Sequence, residues 1–155
     1  MDIGIYALNA SRYLTGEEPT EVNAMLYSTP GDPRFKEVEE HVTFQLRFPS
    51  GILANCSSSY GYFHQSHYRV MGTEGRLEVD PATWYSGLRM WIERGNVIEN
   101  IDLPQVDHFA EEMDHMSSCV MDNKQPLTSG EEGLRDLTII QAIYQAAQTG
   151  KAVKL

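Results

Sequence analysis

The sequence predicts an α+β fold: an open, mainly antiparallel or mixed β-sheet with helices on one face and the other face free for dimerisation. Three observations predict this class. One helical segment opens the chain, short alternating segments fill residues 21–101, and two helical segments close it. Strands that run together before the helices, without regular strand–helix alternation, favour helices gathered on one side of a sheet.

The opening helix is predicted over residues 3–14, and Gly16 ends it. Its predicted buried stripe contains residues spaced three or four apart, namely Ile3, Ala7, Ala10 and Leu14. A neighbouring stripe carries Asp2, Tyr6, Asn9 and Tyr13. For Arg12 we expect an ion pair with Glu17, Glu18 or another carboxylate.

Period-two alternation predicts the strands. The first covers residues 21–28, and a hairpin follows with strands over 38–48 and 52–57 that turn at Pro49-Ser50-Gly51. Four further short strands, separated by glycine and proline turn signals, are predicted over 68–71, 76–79, 88–93 and 97–101. The exposed face is expected to show Thr43, Gln45, Leu53, Asn55, Arg89 and Trp91, which suits a pocket wall or a contact with another subunit.

Two amphipathic helices close the chain. The first is predicted over residues 107–121, with Asp107 as its cap and a buried stripe of Phe109, Met113, Met116 and Val120. The second begins near Thr128-Ser129-Gly130-Glu131 and ends at Gly150, with Leu134, Leu137, Ile140, Tyr144 and Ala147 directed inward. No linker divides the sequence, so residues 1–155 are interpreted as one domain.

Composition excludes several functional classes. The net charge of −10 opposes binding to a phosphate backbone, so nucleic acid is not an expected partner. No apolar run reaches a membrane span, and the basic start of a secretion signal is missing, so a cytoplasmic location is expected. The periplasm is the alternative for a longer parent protein. The two cysteines, Cys56 and Cys119, lack metal or redox spacing and are interpreted as buried thiols.

A carboxylate and a phenol stand one helical turn apart near the start of the first helix. Asp2 and Tyr6 would face the same way, and an anion can orient a phenol that exchanges a proton with a substrate oxygen. These two residues are the predicted catalytic and substrate-binding pair. A capping acid beside a half-buried tyrosine is the structural alternative.

Further candidates lie in the aromatic and histidine-rich middle of the chain. Tyr62 and His67 are predicted to line a pocket, because they neighbour the end of an apparent strand. The Glu112 and His115 pair has the spacing of one di-iron helix motif, but such sites need two copies, so no metal is expected.

Several segments together resemble one protein family. They are residues 2–9, 12–19, 72–83 and 129–134 and the close at 150–151, which follow one another in the family's order. The chain resembles the C-terminal domain of the glucose–fructose oxidoreductase, inositol dehydrogenase and rhizopine-catabolism (Gfo/Idh/MocA) family. It is most similar to the glucose–fructose oxidoreductase branch, because Tyr6 stands where inositol dehydrogenases usually carry histidine.

The resemblance implies a two-domain parent enzyme that acts on a sugar or polyol. An N-terminal Rossmann domain would hold NAD or NADP, and this C-terminal domain would hold the substrate and form a dimer or tetramer through its sheet face. Tyr6 would relay the hydroxyl proton, and Asp2 would bind a sugar hydroxyl. The family's lysine beside a proline, its main proton-transfer group, has no counterpart in this chain.

No glycine-rich turn follows a strand in residues 1–155, so the Rossmann domain is missing from this sequence and the chain carries no cofactor site of its own. Alone, it is not expected to catalyse hydride transfer. Two other functions stay open: a non-catalytic module that self-associates through its sheet, and a cofactor-free α+β isomerase that uses Asp2 and Tyr6 in a closed pocket.

Overall fold

A computed structural model describes residues 1–155 and confirms the α+β class, with three α-helices and eight β-strands. In chain order the elements are α1 (Gly4–Thr15), β1 (Glu21–Tyr27), β2 (His41–Arg47), β3 (Leu53–Ser59), β4 (Tyr68–Met71), β5 (Arg76–Val79), β6 (Met90–Arg94), β7 (Val97–Ile101), α2 (His108–Asp122), α3 (Gly130–Thr149) and β8 (Val153–Lys154). A short 3₁₀ helix, Pro33–Phe35, lies in the turn-rich segment before β2.

The chain forms two compact units. The first unit comprises Met1–Phe63 and Gly130–Leu155, and the second unit comprises His64–Ser129. Each unit contains one four-stranded sheet, so the strands predicted for a single sheet are distributed over two. The interpretation of residues 1–155 as one domain stays a prediction.

The sheet of the first unit has the strand order β3-β2-β1-β8, and every pair is antiparallel. β1 and β2 pair over their full lengths, from Glu21 opposite Arg47 to Tyr27 opposite His41. Helices α1 and α3 cover one face, where alternate strand residues join the helices in a continuous apolar core. The core includes Leu8, Val22, Val42, Phe44, Leu46, Cys56, Ile139, Ile143 and Ala146.

The other face of this sheet is uncovered, as the sequence predicted. Gln45 and Asn55 are exposed there and hydrogen-bonded to each other at 2.9 Å, and Leu53 is exposed beside them. Met25 and Tyr27 extend the same face as exposed apolar side chains on β1.

The predicted buried stripe of α1 is wrong: the fully buried residues are mostly one position later in the sequence than the predicted ones. The structure buries Gly4, Leu8 and Arg12, whereas Leu14 is exposed. Arg12 can lie inside because carboxylates surround it, and apolar periodicity does not register a buried ion pair. Gly16 ends the helix in the left-handed conformation, as predicted, and its amide donates to the carbonyl of Arg12 at 3.0 Å.

A similar offset occurs in α3, where the predicted inward residues Leu134 and Leu137 are exposed. The fully buried stripe contains Asp136, Ile139, Ala142, Ile143 and Ala146, and the predicted Ile140 and Ala147 are partly buried against the core. The face of α3 that meets the core thus carries Asp136, which binds Arg12, together with its apolar residues.

The second unit is built on an antiparallel meander with the order β4-β5-β6-β7. One face of this sheet carries a row of charge pairs, in which Arg69 binds Glu78 through two hydrogen bonds of 2.8 and 2.5 Å. Arg76 binds Glu93 at 2.7 Å. Few apolar side chains are fully buried in this unit, and Val79 is one of them.

The predicted buried stripe of α2 is wrong. Asp107 caps the helix as expected, accepting from the amides of Phe109 and Ala110, but Phe109 and the methionine and valine side chains in line with it are between 52% and 70% exposed. Periodicity identifies the apolar face of a helix but not what covers it. None of the helices combines the length and apolarity needed to cross a bilayer.

Candidate functional site

The start of α1 lies against the end of β3. A Cβ on Gly4 would lie 2.8 Å from Met1 Sδ and 3.0 Å from Ser58 Oγ, so a larger residue there would have to displace these side chains. One to two turns further on, Ser11 Oγ lies 3.5 Å from Cys56 Sγ. These contacts bring the residues before α1 close to those that follow β3.

Asp2 uses this position to bind a residue that is distant in sequence. The N-cap of α1 is Ile3, and no side chain caps the helix, so the carboxylate of Asp2 does not act as a helix cap. It accepts a hydrogen bond from the hydroxyl of Tyr60, the first residue after β3. This hydrogen bond to a carboxylate raises the pKa of Tyr60, because loss of the phenolic proton would place two negative charges together.

Tyr6 presents its ring to solvent and is 56% exposed. Its hydroxyl makes no hydrogen bond within this chain, so the structure does not join Asp2 to Tyr6 directly and leaves both side chains accessible. A carboxylate oriented by Tyr60 can accept a bond from a substrate hydroxyl, while the phenol of Tyr6 is available for proton exchange. The catalytic roles of Asp2 and Tyr6 stay predictions.

The two predicted pocket residues belong to different units. Tyr62 is exposed in the first unit, where its ring lies 4.9 Å from the ring of His41 at an interplanar angle of 43°. His67 is exposed in the second unit, with its Nδ1 3.0 Å from Gln65 Nε2. Beneath Tyr62, the Nδ1 atom of His41 is buried without a hydrogen-bond partner.

Tyr60 is the functional candidate that the sequence reasoning missed. The tract that contains Tyr60, Tyr62 and Phe63 was recognisable as aromatic, but periodicity could not show which ring meets Asp2. The signal that could have found it is its position: Tyr60 directly follows β3, and β3 packs beside α1, whose N-cap follows Asp2.

A charge cluster centred on the buried Arg12 joins α1 to α3. Arg12 is 7% exposed and contacts three carboxylates: Glu18 through bonds of 2.8 and 2.7 Å, and Glu132 and Asp136 at 2.6 Å each. Asn9 donates to the second oxygen of Asp136 at 2.8 Å. The bonds to Glu18 raise the pKa of Arg12 and lower the pKa of Glu18. Arg12 is therefore paired structurally, as predicted.

A second buried contact of α3 involves a phenol. The hydroxyl of Tyr144 lies 3.0 Å from both carboxylate oxygens of Glu39. Burial, followed by the hydrogen bond to Glu39, raises the pKa of Tyr144 to about 12. This tyrosine stays protonated at any physiological pH and serves as a hydrogen-bond donor.

The chain does not offer the architecture that holds a dinucleotide. Dinucleotides bind at the switch point of a parallel sheet, beside a glycine-rich turn that opens a helix. Every strand pair in both sheets is antiparallel, so the residues present do not fit such a cofactor. No group of three or more metal-ligating side chains converges in the structure either.

Fold and site together define an α+β domain that presents an accessible acid and phenol at the start of its first helix. All of residues 1–155 match the model of the family described as "Oxidoreductase family, C-terminal alpha/beta domain", and the chain belongs to that family.

Relatives with a known activity align over the whole chain. It is 37% identical over 158 residues to D-xylose 1-dehydrogenase [NADP(+)] of Haloarcula marismortui, covering 100% of this chain and 43% of that protein. A D-xylose 1-dehydrogenase (NADP(+)) of Haloferax volcanii is 32% identical over 160 residues, with 100% and 47% covered. The chain therefore spans less than half the length of these relatives.

A solved structure also matches closely. The aldose-aldose oxidoreductase of Caulobacter crescentus, crystallised with glycerol, superposes with a TM-score of 0.93 at 47% identity, over 98% of this chain and 46% of that one. A putative oxidoreductase of Thermotoga maritima superposes with a TM-score of 0.80 at 17% identity and supports the fold alone.

Proposed function

We propose that this chain is the substrate-binding and oligomerisation part of an NADP-dependent oxidoreductase acting on a sugar or polyol. The carrying observation is the accessible Asp2 carboxylate, bound by Tyr60 and placed one turn before the exposed Tyr6. Membership of the oxidoreductase family supports it, as does the similarity to two proteins named as NADP(+) xylose dehydrogenases.

In this proposal the chain supplies the sugar side of the reaction. Asp2, held by Tyr60, accepts a hydrogen bond from a substrate hydroxyl, and Tyr6 relays the proton of the hydroxyl that is oxidised. Tyr62 and His67 remain proposed pocket residues. A nicotinamide cofactor, bound by a Rossmann domain of the parent protein, would supply the hydride chemistry.

The accessibility of Asp2 and Tyr6 separates this proposal from a cofactor-free isomerase. Such an enzyme needs a pocket that excludes water around its acid and base. Both proposed residues are instead exposed, which favours a surface that a second domain completes. The proposal therefore places the reaction in the parent enzyme and leaves the isolated chain inactive.

The direct test uses the parent enzyme, followed by NADPH formation with D-xylose and a panel of aldoses and polyols. Tyr6→Phe and Asp2→Asn should each lower kcat by about a hundredfold, the scale of one proton-transfer group. Tyr13→Phe, on the same helix and 88% exposed, is the matched control and should keep wild-type kcat. Unchanged kcat in both test variants would reject the proposed roles.

The second part of the proposal concerns self-association through the uncovered face of the first unit's sheet. Exposed Met25, Tyr27 and Leu53 give this face the apolar character of a subunit contact. A homodimer or tetramer is expected, and Leu53→Glu should lower the mass measured by light scattering. Val97→Glu, which alters an exposed residue of the second unit, is the control. A monomeric wild type would contradict self-association through this face, and it would also contradict the alternative of a non-catalytic module that self-associates through its sheet.

A further inference from the structure

Glu39 is a buried carboxylate that lies before β2, and its side chain is only 10% exposed. Burying a carboxylate costs free energy unless hydrogen-bond donors face it. Two donors face Glu39: the backbone nitrogen of Met1 and the hydroxyl of Tyr144, which lies 3.0 Å from both carboxylate oxygens. Glu39 is thus fixed in one position, and it is not among the proposed catalytic residues.

The contact with Met1 fixes the backbone that carries Asp2. The carbonyl of Met1 accepts from the amide of Ile5 at 3.2 Å, and the Met1 side chain packs against the core of the first unit. Its nitrogen donates to Glu39, and a peptide N–H at this position in a longer chain would donate to the same acceptor. The backbone is therefore held on both sides of Met1, immediately before the carboxylate that binds Tyr60.

The residue after Glu39 fixes the other partner of that hydrogen bond. The carbonyl of Glu40 accepts from the amide of Tyr60 at 3.0 Å. The Glu40 carboxylate accepts from the amide and the hydroxyl of Thr29 at 2.8 and 2.6 Å, and a Cβ on Gly61 would overlap its Oε1 atom. This one short segment therefore binds the backbone on both sides of the carboxylate–phenol bond.

Both phenols of this network keep their protons at neutral pH. Burial and the bond to Glu39 raise the pKa of Tyr144 to about 12, so its hydroxyl stays a donor. The bond to Asp2 is the first cause that raises the pKa of Tyr60, followed by burial and by the negative charges of Asp2 and Glu39. The phenols therefore donate and the carboxylates accept.

We propose that Glu39, held by Tyr144, is a positioning residue for Asp2. It fixes the backbone from which Asp2 extends, and the adjoining carbonyl of Glu40 fixes Tyr60, so the Asp2 carboxylate is oriented before a substrate arrives. Glu39 acts through Asp2 and not on the substrate. The effect on catalysis rests on the proposed function, whereas the effect on Tyr60 rests only on contacts within the first unit.

The titration of Tyr60 measures this positioning in the chain itself, by NMR of isotope-labelled tyrosine with Tyr60→Phe to assign the signal. Glu39→Leu removes the acceptor, so the pKa of Tyr60 should fall toward its ordinary value. Glu39→Gln loses the same charge but still accepts from Met1 and can bond to Tyr144, so it should keep most of the rise.

The control for a general loosening of α1 is Glu18→Leu. Glu18 binds Arg12 near the other end of the helix at 2.7 Å, so its loss should leave the titration of Tyr60 unchanged.

The parent enzyme, assayed with D-xylose, gives the kinetic readout. Glu39→Leu should lower kcat about tenfold, because a displaced carboxylate orients the substrate hydroxyl poorly. Glu39→Gln should remain near wild type. The double variant Asp2→Asn/Glu39→Leu should be no slower than Asp2→Asn alone, since Glu39 then has no carboxylate to position. A merely structural role would make the two losses multiply.

The proposal is overturned if Glu39→Leu leaves the titration of Tyr60 unchanged, if Glu39→Gln lowers the pKa of Tyr60 as far as Glu39→Leu does, or if the two kinetic losses multiply. Should circular dichroism show that Glu39→Leu is unfolded, Tyr144→Phe replaces it: it keeps the ring, removes one donor and should lower the pKa of Tyr60 by a smaller amount. An unchanged titration in that variant overturns the proposal equally.

Failure of the proposed function gives a different result. The parent enzyme would not reduce NADP⁺ with any sugar, while Tyr60 in this chain would still respond to the substitutions of Glu39. If the positioning role alone is wrong, Asp2→Asn slows the parent enzyme and Glu39→Leu does not.

Discussion

Replacing Arg12 by methionine should destabilise the first unit more than any other single charge removal. Methionine fills the volume of the side chain stem but leaves Glu18, Glu132 and Asp136 without their common cation. Glu18 is about half exposed and can be rehydrated, so its loss contributes little. Asp136 is buried and keeps only the bond from Asn9, so most of the cost arises there.

The expected cost is about 3 kcal/mol, the lower end of the range for breaking a buried ion pair. For a chain of this size, that lowers the melting temperature by roughly 6–12 °C. The assay is urea unfolding followed by circular dichroism, because most of the helical residues of the chain lie in α1 and α3, which belong to the first unit. Arg135→Met is the matched control: it binds Glu132 at 2.8 Å from an exposed position and should cost less than about 1 kcal/mol.

The pH dependence reports the small share that Glu18 contributes. The Arg12 bond lowers the folded pKa of Glu18 below its ordinary value of about 4.5, so this share of the stabilisation is present above that pH and is lost as the pH falls through the folded pKa. The difference between wild type and Arg12→Met should therefore decrease slightly in acid. A cost at neutral pH no greater than that of Arg135→Met would refute the reasoning.

Three further predictions follow from single contacts. Gly75→Ala should destabilise the second unit by about 2 kcal/mol, because its Cβ would lie 2.3 Å from a β6 carbonyl oxygen; Gly133→Ala meets nothing within 4 Å and should not. Asp2→Asn should lower the raised pKa of Tyr60 toward its ordinary value, measured by ultraviolet titration against Tyr60→Phe. His115→Ala should cost about 1 kcal/mol in urea unfolding, since its Nε2 accepts a loop amide at 3.1 Å.

Each of these has a clear contrary result. Equal stability of Gly75→Ala and wild type would show that the backbone of β6 can shift away from the added methyl group at little cost. An unchanged phenol titration in Asp2→Asn would mean that the carboxylate does not hold Tyr60 in solution. If His115→Gln, which offers another acceptor, is as unstable as His115→Ala, the hydrogen bond is not the cause.

The strands were the most predictable part of the fold. Alternation and turn residues gave β4, β5 and β7 with the bounds that the structure shows, because period-two patterning and glycine or proline turns act locally. β8 pairs with β1 at Glu21 and Val22 and is only two residues long. A strand this short shows no alternating pattern, so the sequence did not predict it.

The helices were placed correctly along the chain, but their orientation was not. The buried side chain of α1 that periodicity does not register is Arg12; one of its carboxylate partners, Glu18, is local, and the other two, Glu132 and Asp136, lie in the distant helix α3. Likewise, the contact between Asp2 and Tyr60 joins residues 58 positions apart. Hydrophobic periodicity carries no information about such pairings, which only the folded backbone brings together.

The discontinuity of the first unit has a consequence for synthesis on the ribosome. Its core requires Ile143 and Ala146 against Leu8 and Val22, so residues 1–63 cannot complete that core until α3 has emerged. The second unit is one uninterrupted stretch with short hairpin connections and can fold during that interval. The later-made stretch is thus expected to become ordered first, and a nascent chain that stalls before α3 would leave β1, β2 and β3 open to aggregation.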